Sequence, residues 1–119
     1  MRNTIVNVLD GLPVTIASGQ SLSGGVNLGG LRLFGIVMPA AWTTANLTFQ
    51  MSPDNGVSWN NMYDDSAGEF MVLADTARYL MLDPAAFAAV QWLQIRSGTA
   101  GVPVAQAADR VLNLILRGV

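Results

Sequence analysis

Residues able to do chemistry are few in this chain, and the most motif-like set is Ser52-Pro53-Asp54-Asn55-Gly56-Val57-Ser58-Trp59. Asp54 and Asn55 offer polar groups beside the Trp59 indole, and Tyr63 follows shortly after. A ring face flanked by a few polar groups is the combination a glycan site needs, with the ring against sugar C–H and the polar atoms on hydroxyls. The same residue types also close a hairpin, because Asp, Asn and Gly tolerate left-handed backbone and a Trp can then enter the next strand. Turn chemistry alone accounts for them.

Asp64, Asp65 and Glu69 fall within one loop. Their oxygens suit calcium, but the alternating ligands and central Gly of an EF-hand loop are missing. As a carboxylate pair they could serve glycoside hydrolysis, although a domain of this size has little room for a cleft. Adjacent Asp residues beside a Gly otherwise make a solvated turn. Asn46-Leu47-Thr48 matches a glycosylation pattern and also fits the polar face of a strand. The glycines from 24 to 30 lack the spacing of a phosphate loop. No catalytic residue, metal site or cofactor is assigned.

Composition narrows the chemistry further. The 119 residues include no Cys, His or Lys, which excludes thiolate and imidazole chemistry, Cys/His zinc sites and Schiff bases. No Ser lies in a nucleophile motif. Only carboxylates, Tyr63, Tyr79 and Arg remain, so the expectation is a protein that is not an enzyme. Charged residues make up 12%, about half the usual share. The net charge of −2 leaves no basic stripe for nucleic acid or for a membrane surface.

What charge there is has a bias. The six basic residues, Arg2, Arg32, Arg78, Arg96, Arg110 and Arg117, are all Arg. Interfaces favour Arg over Lys because its planar fork pairs carboxylates bidentately; a GC-rich coding sequence would give the same bias. Three Trp and six Met point toward contact with protein. Candidate binding or interface residues are therefore Arg32, Trp42, Asp54, Asn55, Trp59 and Tyr63, and the uncharged segment 3–9 could add to a neighbour's sheet. No apolar run of signal-peptide length precedes Asp10. The uncharged stretches 11–31 and 33–53 are broken by Pro and polar residues, so neither reads as a membrane helix.

The elements that must position these residues have a period of two. Leu47, Phe49 and Met51 alternate with Thr48 and Gln50, and Leu93 and Ile95 with Gln94 and Arg96. Val14 and Ile16 flank Thr15, and Leu22, Val26 and Leu28 recur through a Ser/Gly-rich stretch read as ordered strand with bends. The runs 31–38 and 111–116 are more continuous, as in strands covered on both faces. Further short candidates are 70–73 and 78–82. Asp83 as N-cap and Pro84 at the first helical position predict one short helix near 83–90, of about two turns. Many short strands between Gly, Pro and Asp turns predict a single all-β domain over 1–119, an antiparallel jelly-roll-like sandwich of roughly eight strands.

Two resemblances follow. The strand over 47–52, the Asp54-Asn55-Gly56 turn, Trp59, and the strands near 78–82 and 92–97 are similar to discoidin-like, galactose-binding jelly rolls. That resemblance concerns the fold and carries no sugar site. Over nearly the whole chain, segments such as Ile16-Ala17-Ser18-Gly19-Gln20-Ser21-Leu22-Ser23-Gly24 and Leu31-Arg32-Leu33-Phe34-Gly35-Ile36-Val37-Met38 resemble small proteins of tailed bacteriophages. The segment Val90-Gln91-Trp92-Leu93-Gln94-Ile95-Arg96-Ser97 does so too. This second resemblance implies a virion component made in the host cytoplasm, of the kind that cements capsids as a trimer bound to the major capsid protein. The alternative is a glycan- or receptor-binding module of a tail or head fibre.

Overall fold

A computed structural model describes residues 11–65 and 68–118. Among the described residues the alternating runs form nine strands: β1 (Leu12–Ile16), β2 (Val26–Asn27), β3 (Arg32–Val37), β4 (Leu47–Ser52), β5 (Asn60–Asn61), β6 (Met71–Val72), β7 (Tyr79–Met81), β8 (Trp92–Ser97) and β9 (Arg110–Arg117). Every apolar run that the period of two singles out between 11 and 118 contributes to a strand or bridge. The Ser/Gly-rich stretch is ordered as expected. Leu22 bridges Arg96, and Ser23 extends the ladder with both its amide and its hydroxyl, to the Ile95 carbonyl at 2.8 Å and from the Ile95 N–H at 2.9 Å.

The strands make two antiparallel sheets, ordered β1-β9-β3-β7 and β2-β8-β4-β5, with β6 along the same edge of β4 as β5. The pairing is nested. β1 pairs with β9, β2 with β8, β3 with β7, and β4 with β5 and β6. One long hairpin has been rolled so that successive strand pairs alternate between sheets, which is the jelly-roll arrangement. Counting β5 and β6 as two halves of one interrupted edge strand, eight strand positions result.

The core lies between the sheets. Leu33, Ile36, Leu112, Leu114 and Leu116 from the four-stranded sheet face Leu47, Phe49, Leu93 and Ile95 from the other, all without exposed surface. Phe49, Phe70 and Phe87 pack as a trio with ring centroids 5.4–5.9 Å apart, two of the contacts edge-to-face, a favoured quadrupole geometry.

The expected two-turn helix is shorter. A single 3-10 turn spans Pro84–Phe87, with the Asp83 carboxylate accepting from the Ala85 N–H at 3.0 Å as the cap predicted. Beyond Phe87 the chain makes one more turn, the Val90 N–H donating to the Phe87 carbonyl at 3.1 Å, and then extends into β8 from Trp92.

Candidate functional site

The hairpin tip between β4 and β5 is where the sequence placed ligand-binding groups, and there the side chains hold the turn. Asp54 accepts from Ser52 Oγ at 2.8 Å, from the Ser58 N–H at 2.8 Å and from Ser58 Oγ at 2.7 Å. These bonds, the Ser58 N–H first, draw its pKa below the ordinary 3.8. Asn55 adopts φ 61°, the left-handed conformation the turn requires. The tip folds over Trp92, where a Cβ on Gly56 would lie 3.5 Å from the indole. Trp59 then closes against Gly25, which has room only for hydrogen, since a Cβ there would sit 2.8 Å from the Trp59 ring. Tyr63 lies elsewhere, beside Met51, Pro53, Asn60 and Val90 in a cleft of about 400 Å³. The groups proposed to converge on a sugar are thus used internally or separated.

Trp42 also has a structural place. It is 7% exposed in the core, with its indole N–H donating to the Ala45 carbonyl at 3.0 Å. The supposed calcium loop is dispersed as well. Asp64 closes its own turn with the Gly68 N–H, at 3.3 Å. Glu69 turns away to Arg96, making a largely buried ion pair at 3.0 Å and accepting from the Ala100 N–H at 3.1 Å. Among the described residues no group of three carboxylates could hold a metal. Segment 3–9 and Arg2 lie outside the described residues.

The outer faces of the two sheets differ in kind, and this contrast is what sequence reading missed. On the five-stranded sheet, the register sets Thr48 opposite Arg96 and Gln50 opposite both Gln94 and Asn61. Asn61 accepts from Arg96 at 2.7 Å and from Gln50 at 3.1 Å, so a satisfied polar network occupies the middle of this face, with the half-exposed Met71 beside Thr48 at its edge.

The four-stranded sheet has no such network. Its register places Pro13, Thr15, Val111, Asn113, Ile115, Gly35, Val37, Tyr79 and Met81 outward, with no charge until the Arg32 and Arg117 row at one end. Met81 is 83% exposed, Tyr79 48% and Val111 45%. The Tyr79 ring lies against Gly35, where a Cβ would be 2.5 Å from it, which flattens the surface. The continuous runs that read as covered on both faces are therefore covered on one. The signal was present in those runs, but alternation cannot say whether the second cover belongs to the same chain.

No protein-family model matches this chain, and no curated protein matches it in sequence. Among solved structures it is similar to the SPBc2 prophage-derived protein YomS, with a TM-score of 0.53 over 97% of this chain and 100% of that one, at 11% identity. The likeness is one of fold.

Proposed function

We propose that this chain is a structural protein of a tailed-phage particle, a cement protein that docks on the head through the outer face of its four-stranded sheet. The uncharged, partly apolar character of that face carries the reading. Charged residues are depleted at interface centres, where they would have to be desolvated, and an outer sheet face on a free-standing domain is ordinarily polar. Similarity in fold to a prophage-derived protein supports the phage setting. The low charge fraction supports a surface partly covered by other protein.

The four strands are 5, 8, 6 and 3 residues long, so at about 3.3 Å per residue and about 4.8 Å between strands the face covers about 350 Å². A standard interface takes about 800 Å² from each partner, so the rim contributes as well. Trimeric assembly is taken from the resemblance to capsid cement proteins. In this reading the protein binds and does no chemistry.

Met81→Asp tests the proposal. The side chain is exposed, so the fold should survive, while an aspartate at a buried interface removes about 1.5–3 kcal/mol of apolar burial and adds an unpaired charge. Wild type should be present at hundreds of copies per purified particle, counted by quantitative mass spectrometry, and Met81→Asp should be lost from it. Wild-type occupancy by the variant, or a handful of copies confined to the tail, would reject the docking face or the cement role respectively.

A further inference from the structure

We infer that the cavity holding Arg32, at the end of the sandwich, is a recognition pocket for a carboxylate presented by a protein partner. The cavity measures about 340 Å³ and is formed where two crossovers between the sheets run side by side. Gly29, Gly30 and Leu31 come from the β2–β3 connection, and Ala88, Ala89, Val90 and Gln91 from the segment leading into β8. Several of these have little or no side chain, so much of the wall is peptide backbone. Arg32 supplies the charge, and none of the described lining residues carries a carboxylate.

Arg32 stands apart from the other described arginines. Arg78 pairs with Asp75 at 3.6 Å and Arg96 with Glu69 at 3.0 Å. Arg110 donates to Gln106 Oε1 at 3.1 Å and to Thr43 Oγ1 at 3.3 Å, and Arg117 donates to the Leu116 carbonyl at 3.4 Å. Arg32 is half-buried, yet it has no hydrogen-bond or ion-pair partner among the described residues. Its direct cross-strand neighbour is another arginine, Arg117, so the register offers Arg32 no counter-charge. A half-buried arginine without a partner, at the wall of a cavity, is a site whose anion comes from outside.

The chemistry favours a carboxylate over a phosphate. One guanidinium fork pairs bidentately with a carboxylate or a phosphate, but its single charge balances a carboxylate and not the charge of about −1.5 to −2 on a phosphate group. A more highly charged anion would have to approach a protein that is itself net negative. The pocket lies between crossovers and not on the uncharged sheet face, so it adds a polar, orienting contact to an apolar one. That the carboxylate belongs to a Glu or Asp of a particle protein rests on the docking proposed above; the carboxylate chemistry does not.

The test uses the full chain in solution, followed by amide NMR shifts, with N-acetyl-glutamate N-methylamide as probe. The N-acetyl-glutamine N-methylamide isostere is the uncharged control, and inorganic phosphate is a third arm. Saturable shifts should centre on Gly29, Gly30, Ala88 and Ala89 with the glutamyl probe and be absent with its isostere. Arg32→Gln should weaken binding about tenfold or more, the worth of a charge-assisted hydrogen bond, while its dispersed spectrum reports an intact fold. Arg32→Lys, which keeps the charge and loses the fork, should fall between. No saturable shift by about 50 mM probe, equal binding by Arg32→Gln, or tighter binding of phosphate would overturn the assignment. Loss of Met81→Asp from particles is read on a different variant and assay, so the two proposals fail independently.

Discussion

Gln106 is a loop residue by sequence and a structural hub in the fold, and replacing it should be among the costlier single changes in the molecule. Its side chain is 1% exposed. It accepts from the Thr43 N–H at 2.8 Å and from Arg110 Nε at 3.1 Å, and it donates to the Thr43 carbonyl at 3.0 Å and to Ser97 Oγ at 2.7 Å. It thereby ties the β3–β4 connection, the end of β8 and the start of β9 together. Gln106→Leu keeps the volume and removes all four bonds.

Arg110 keeps its bond to Thr43 Oγ1, but the Thr43 amide and carbonyl lose their partners, and the fully buried Ser97 Oγ loses the bond it accepts. At about 1–3 kcal/mol for each unsatisfied buried group, the expected cost is about 3–4 kcal/mol. With an unfolding entropy of about 2.1 cal/mol/K per residue, the 119 residues give about 0.25 kcal/mol/K, so the melting temperature should fall by about 12–16 °C. Gln106→Glu retains the acceptor for Thr43 N–H and Arg110 while losing the donor, and should cost about 1–2 kcal/mol. Urea titration followed by tryptophan fluorescence, repeated across protein concentrations to separate association from folding, measures both. A Gln106→Leu protein within about 0.5 kcal/mol of wild type would refute the reasoning, because the two Thr43 groups would then have found water.

Two further perturbations follow from the same geometry. Glu69→Gln should cost about 2–4 kcal/mol by leaving Arg96 buried without its counter-charge, and the double change Arg96→Met/Glu69→Met should recover most of that, both read from urea midpoints. At the hairpin tip, the lowered pKa of Asp54 means its bonds to Ser58 and Ser52 are fully present above the ordinary value of 3.8 and lost only as pH falls through the depressed one. The Ser58 amide shift should hold steady down to about pH 4, move below it, and lose that transition in Asp54→Asn. A midpoint at or above the ordinary carboxylate value would contradict it.

Alternation of apolar and polar side chains was enough to locate the strands, because a half-buried strand has to expose one face and bury the other. The turn residues around Gly19, Asn55 and Gly98, all at positive φ, marked where the rolled hairpin bends, and the Asp83 cap was legible from two residues. The length of that helix was not, since it depends on where Phe87 finds Phe49 and Phe70. The candidate site was less legible still. Trp42 and Trp59 have the composition of interface anchors, but composition does not tell a ring that fills the core or closes on Gly25 from one that waits for a partner.

The sequence by itself determined an all-β sandwich, the poverty of its chemistry and the surplus of apolar residues in two strands. Only the tertiary structure decided which of the described arginines lacks a partner, which loop glutamine is buried, and which of the two sheets turns an uncharged face outward. Each of these depends on register between segments far apart in the chain. Val37 meets Tyr79, Gly35 meets both Met81 and Ile115, and Arg32 meets Arg117, and side chains acquire neighbours of that kind only when the hairpin rolls up.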